Sequence, residues 1–302
     1  MTKSITNYEL RITLWKLYFQ SAVFLCLIFI SFAGNGLAQS FESFSETIRR
    51  GTVEQKRDAL FQIRNLENAE ASRIAVPALN DKSEIVRATA AFSVVFLPND
   101  EALTVLLPLL NDKKELVRRE ASYALGKVGS QGAINSLLRI LQSDKVLDVR
   151  AASVIALGEI SDASVVPELV KILQRKPKTE EEFLRRSAAR SIGQIAQTIQ
   201  IGSGKVNTPE NFLPDELNLI AKPKYPNLIE VFPAFQTANQ ILIEILQNPS
   251  EADDVKRETA FALGAIGDKT AIPILRTNLD AEDYYLARIS AEALRKISAS
   301  TN

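Results

Sequence analysis

A short phrase recurs along this chain at a nearly constant interval, and it restricts the fold more than any other feature. Val117-Arg118-Arg119-Glu120-Ala121-Ser122-Tyr123-Ala124-Leu125-Gly126 is echoed by Val149-Arg150-Ala151-Ala152-Ser153-Val154-Ile155-Ala156-Leu157-Gly158. It returns as Val255-Lys256-Arg257-Glu258-Thr259-Ala260-Phe261-Ala262-Leu263-Gly264. Looser copies begin at Gln55, Val86, Leu184 and Leu286, so successive starts lie 31, 31, 32, 35, 71 and 31 residues apart. Within one copy, Val117, Ala121, Ala124, Leu125 and Val128 fall at spacings of three and four, which is one face of a helix. A second apolar helix follows, carrying Ile134, Leu137, Leu138 and Leu141. Each unit is a helix hairpin whose apolar faces are too wide to bury alone, and a period in the thirties predicts that the hairpins stack. The expected fold is all-α: a right-handed α-solenoid of about six to seven stacked hairpins.

Local signals refine this picture. Asp112, five residues before Val117, is placed to cap the first turn of its helix. Pro77, Pro108, Pro167 and Pro273 are expected near the starts of second helices, where a missing N–H costs little. Residues 41–50 read as a capping helix, and Tyr284 to Ile297 as a last first helix without a partner. The long interval holds a first helix around Leu184–Ile195 and a second from about Pro233 to Leu246. Between them, residues 197–229 read as an insertion, broken by Pro209, Pro214, Pro223 and Pro226. A loop this long in a compact array is unusual, and long loops are often binding loops. Its Lys205, Phe212, Lys222, Lys224 and Tyr225 are candidate contacts for a partner.

Residues 1–38 read as a secretory signal: three basic groups and one acid in residues 1–16, then an apolar run over 17–33, then small residues at Gly36 and Ala38. Cleavage is expected after Ala38. The alternative is retention of residues 17–33 as a membrane anchor, although the uninterrupted core from Ala22 to Ile30 is short against the roughly 20 residues that a span requires. Cys26 reads as a residue of that apolar core. The remaining chain carries no Cys and no His, which removes Ser-His and Cys-His catalysis and thiolate or imidazole metal sites. Lys plus Arg equals Asp plus Glu at 36 each, so there is no electrostatic footprint for nucleic acid. No cofactor is expected. The acidic clusters Glu180-Glu181-Glu182 and Glu251-Ala252-Asp253-Asp254 are expected as solvated helix ends that favour the dipole.

The motif Asp-x4-Val-Arg-x2-Ala-x2-Ala-Leu-Gly is matched almost in full by the copies at Val117 and Val149. It resembles the HEAT-repeat family, in the short variety of the phycobilin lyases, over roughly residues 53–298. The resemblance implies a structural ladder between neighbouring repeats, made by Arg87, Arg118, Arg150, Arg185 and Lys256 with Asp81, Asp112 and Asp144. Lys replaces Arg at Lys256, and the Gly is absent near Val95 and Arg295. The family also includes di-iron hydroxylases, whose ligands include His, so that activity is excluded here.

The function expected from these readings is a non-enzymatic, exported scaffold of the periplasm or cell envelope that binds another protein. The alternative is a bilin lyase or tetrapyrrole-binding, chaperone-like protein. Second helices are expected to line the concave surface on which solenoids usually bind, with Arg73, Asn135, Arg139, Lys171, Gln240 and Arg276 as exposed polar contacts.

Overall fold

The computed structural model describes residues 41–202, 224–225 and 227–299. Among these residues every regular element is helical. The signal or anchor segment lies outside them. No helix among the described residues is long and apolar enough to cross a membrane.

The repeat at Val117 shows how the sequence builds one unit. Helix α6, Glu115–Val128, buries Val117, Ala121, Ala124, Leu125 and Gly126 on the predicted face. It ends at Gly129, whose φ of 71° closes the helix in the left-handed conformation that glycine adopts without a Cβ clash. A 3-10 turn then leads into α7, Ile134–Ser143. Five more hairpins follow the same plan: α2 (Val53–Asn65) with α3 (Ala69–Ala75), α4 (Glu84–Ser93) with α5 (Asn99–Leu106), α8 (Leu147–Ile160) with α9 (Val166–Leu173), α10 (Glu182–Ile201) with α12 (Ala234–Gln247), and α13 (Asp253–Ile266) with α14 (Ile272–Thr277). Helix α1, residues 41–50, precedes them and packs Phe41, Phe44 and Ile48 on the core. Helix α15, Tyr284–Ala299, closes the series. One continuous apolar core runs from Ile48 to Ile297.

The first helices, α2, α4, α6, α8, α10, α13 and α15, pack on one another in chain order. Small residues set their spacing. A Cβ on Gly126 would lie 2.7 Å from Ala156 Cα, one on Gly193 2.8 Å from Ala262 Cα, and one on Gly264 2.7 Å from Ala293 Cα. Buried hydroxyls tie the same helices together: Ser93 donates to the Leu60 carbonyl at 2.8 Å and Ser191 to that of Val154 at 3.0 Å. Among the described second helices, α9 and α12 pack extensively on each other.

Three local expectations change. Asp112 is not the cap of α6, because Lys114 holds that position; Asp112 instead accepts the Lys114 N–H at 2.9 Å in the turn before the helix. Pro167 and Pro273 do sit in the first turns of α9 and α14. Pro77 and Pro108, however, follow full α-helical stretches and mark their change to 3-10 geometry, since proline cannot donate to the carbonyl four residues back. The insertion begins after Ile201, not at residue 197, because Gln197 and Gln200 remain buried on α10. The chain returns at the end of that helix, where the Lys224 N–H donates to the Gln200 carbonyl at 2.8 Å and the Tyr225 N–H to Gln200 Oε1 at 3.0 Å. The four-residue helix α11, Leu228–Val231, then leads into α12.

Candidate functional site

The ladder occupies the turns between repeats. Lys56 Nζ lies 2.7 Å from Asp81. Arg87 grips Asp112 with two bonds of 2.8 and 2.9 Å, and Arg118 grips Asp144 at 2.7 and 3.0 Å. The remaining guanidinium nitrogen of Arg87 and of Arg118 donates to the carbonyl of Asp81 and Asp112 respectively, so each arginine spans two successive turns. Each aspartate also accepts a backbone N–H two residues on. Burial pushes these carboxyls up, but the hydrogen bonds from Lys56, Arg87 and Arg118 outweigh it, helped by the backbone donors. Asp81, Asp112 and Asp144 are all held below the ordinary aspartate value of 3.8.

That direction fixes a pH dependence. A carboxyl with a depressed folded-state pKa stabilises the fold above its unfolded value and loses that contribution as the pH falls through its folded value. Asp112→Asn should therefore cost about 1–3 kcal/mol at pH 7. The difference from wild type should shrink below about pH 4, where the unfolded aspartate protonates. Denaturant titrations at pH 7 and pH 3 read both, and an equal deficit at the two values would sink the assignment.

Further along, the ladder departs from its register. Arg150 makes no carboxylate pair among the described residues and donates Nε to the Leu141 carbonyl at 2.8 Å. Arg185 pairs with Glu251 in full burial, the two side chains being 2% and 1% exposed, and also donates to the carbonyls of Ile172, Leu173 and Arg175. Glu251 is thus a buried partner and not a solvated helix end. Among the described residues, Lys256 reaches no acid but Asp253, one turn away on its own helix, at 4.0 Å. The rung expected from it is made by the next residue, Arg257, which donates Nε to Asp283 at 2.9 Å. Ala281 stands five residues before Leu286, where the copies at Val86, Val117 and Val149 carry Asp, so acid and base have both moved.

The six polar residues expected on the concave side are all exposed and all lie on second helices. Arg73 is engaged by Glu101 of the following repeat through bonds of 3.0 and 2.8 Å, and Lys171 by Glu168 on its own helix at 2.6 Å. Asn135, Arg139, Gln240 and Arg276 remain at the surface. Of the insertion residues, Lys224 is exposed, and Tyr225 is half-buried against Phe232 with ring centroids 5.8 Å apart. Lys205, Phe212 and Lys222 lie outside the described residues.

The first helices present a second feature, which the sequence reading missed. The residue before each aligned Val or Leu is Ile85, Leu116, Phe183 and Tyr285 in four of the repeats. Ile85, Phe183 and Tyr285 are 42%, 40% and 54% exposed, and Tyr284 beside them 65%. Arginines flank this row. Arg186 lies over Phe183 at 5.2 Å and Arg257 over Tyr285 at 5.4 Å. Arg186 and Arg257 share Asp254, at 2.8 and 2.6 Å. The signal was available: an apolar residue one position outside the apolar stripe, recurring in register. Among the described residues, no group of acidic side chains gathers as a metal site.

A family model described as HEAT repeats matches residues 73–158 and 234–301. A second, described as PBS lyase HEAT-like repeat, matches residues 149–175. No curated protein matches the chain. Among solved structures, an engineered protein is 19% identical, with 85% of this chain and 68% of that one covered and a TM-score of 0.48. The complex of CpcE and CpcF of phycocyanin lyase from Nostoc sp. PCC7120 is 17% identical, covering 86% and 93%, with a TM-score of 0.47. Human deoxyhypusine hydroxylase is 18% identical, covering 86% and 96%, with a TM-score of 0.37.

Proposed function

The chain belongs to the HEAT-repeat family, and from that premise we propose that it is an exported, non-enzymatic scaffold of the cell envelope that binds another protein on the surface of its first helices. The observation that carries the reading is the row of exposed Ile85, Phe183, Tyr284 and Tyr285 beside arginines on one layer of the stack. Tyr and Arg are enriched where proteins recognise proteins, since they combine large apolar area with directional polar groups. The family match supports a repeat scaffold, and repeat stacks offer extended surfaces for partners. The charged, apolar and small-residue layout of residues 1–38 supports export.

The test uses the full chain, crosslinked in the envelope of the source cells. Wild type should capture a defined protein, and Phe183→Ser/Tyr285→Ser, folded by circular dichroism, should lose it. A new amino terminus at Gln39 on the exported chain would support cleavage. Equal capture by wild type and variant would remove the surface assignment, and recovery of the whole chain from the cytoplasm would remove export. The match to the PBS lyase repeat keeps one second reading, a bilin lyase or tetrapyrrole-binding protein, which predicts bilin absorbance on the purified chain.

A further inference from the structure

Six residues after the aligned Gln55, Val86, Val117 and Val149 stand Phe61, Phe92, Tyr123 and Ile155, a row that ends at Arg190 in the next repeat. Phe61 is 53% exposed and the other three are half-buried. Residues seven apart on a helix share a face, two turns from one another. Ile85 and Phe92 therefore stand on one face of α4, with Thr89 beside them. Around α2, Arg57 and Arg64 fall between Leu60 and Phe61; around α4, Ile85 and Thr89 fall between Ser93 and Phe92. The Ser93 hydroxyl donates to the Leu60 carbonyl at 2.8 Å, which turns these two flanks towards each other. One outer furrow thus has Arg57, Phe61 and Arg64 on one wall and Ile85, Thr89 and Phe92 on the other.

The walls differ in charge. The three residues of α4 are uncharged, and the Thr89 hydroxyl donates to the Ile85 carbonyl at 2.8 Å. On α2, Arg64 lies over the Phe61 ring at 4.7 Å, and Arg57 is exposed. Neither arginine makes an ion pair among the described residues, including with the exposed Glu54 and Asp58 of the same helix. Later repeats treat the position of Arg57 differently: Arg186 is met by Asp254 at 2.8 Å and Arg257 by Asp283 at 2.9 Å. Asp254 stands one residue before its aligned Val255, and the same position in α4 holds Ile85.

We propose that the furrow between α2 and α4 binds an acidic amphipathic helix of a partner protein. Its apolar stripe lies against Phe61, Ile85 and Phe92, and two of its carboxylates meet Arg57 and Arg64. The occupant follows from charge and spacing. The two arginines are seven residues apart, about 10.5 Å along the axis of α2, and acids seven apart on a second helix reproduce that interval. Apolar side chains at spacings of three and four supply the stripe, as in other helix-in-groove contacts. A lipid surface would be met by cations on both sides of the aromatic residues, and only one wall carries them. The proposal rests on the reading that first helices carry a protein partner, and adds the chemistry of that partner at one end of the stack.

Fluorescence anisotropy with a labelled, capped helical peptide of about fifteen residues tests this. The peptide carries leucines at spacings of four, three and four, and two glutamates seven apart on one flank; a second peptide has lysine in place of both glutamates. The full chain should bind the glutamate peptide saturably and about fivefold more tightly than the lysine peptide. Arg57→Glu/Arg64→Glu, folded by circular dichroism, should reverse that order. Phe61→Ser, at a position half in solvent, should fold and bind the glutamate peptide about tenfold more weakly. Binding of neither peptide, equal affinity for the two, or an unreversed order in the double variant would each overturn the proposal. Vesicles of phosphatidylglycerol test the other occupant: if they displace the peptide and Phe61→Ser no longer binds them, the furrow is a lipid site and the proposal fails. Capture through Phe183 and Tyr285 is read with the envelope partner and not with the peptide, so either result can fail alone.

Discussion

Glu251→Gln should destabilise the fold by about 3–5 kcal/mol, the range for stranding one member of a buried ion pair. Arg185 and Glu251 are both buried, so bulk solvent cannot take over from the lost charge. The guanidinium would keep its bonds to the Ile172, Leu173 and Arg175 carbonyls, but its positive charge would stay buried without a counterion. The pair joins α10 to the turn before α13, across the long interval in the repeats, so the loss should weaken the stack at its middle. A shift in the guanidinium chloride midpoint reads the effect. Replacing both partners with apolar residues, as in Arg185→Met/Glu251→Leu, should recover much of the stability, because the cost lies in the unpaired charge more than in the absent bond. A single-variant loss below about 1 kcal/mol would mean that solvent reaches the pair.

Gly264→Val should cost about 1–3 kcal/mol or more through overpacking. Its Cβ would lie 2.7 Å from both Cα and Cβ of Ala293, and backbone on a neighbouring helix cannot rotate aside as a long side chain can. Helices α13 and α15 would have to separate. Because α15 packs, among the described residues, on the α13–α14 repeat alone, the penalty should appear there first, as faster amide exchange in α15 than in α6 or α8. Uniform acceleration along the whole chain would show instead that the stack unfolds as one unit.

Much of the architecture was legible because its signal is internal. Val117 and Ala121 recur at helical spacing within a repeat and at a constant period between repeats, and both patterns require only the chain itself. The ladder was legible where acid and base keep their register, as at Arg118 and Asp144. It was hidden where each moved by a residue or two, as at Arg257 and Asp283, because an altered partner is visible only once the turns are in space. Glu251 illustrates the same limit: three acids in a helix start look solvated, yet one of them turns inward to Arg185. The row at Phe183 and Tyr285 was in the sequence but outside the stripe on which the helical reading concentrated.

The hydrogen bonds that return the chain to Gln200 have a consequence for how such a protein can change over generations. Helix α10 packs on α8 and α13, and α12 packs on α9, so the stack is continuous on both sides of residues 202–223. The two ends of that segment are already held together at Gln200 and Lys224. Closure entropy grows slowly with length, a doubling between fixed ends costing about 0.6 kcal/mol. The junction between Gln200 and Lys224 therefore holds the return of the chain to α10 by backbone groups, which any sequence at those two positions except proline at 224 can supply.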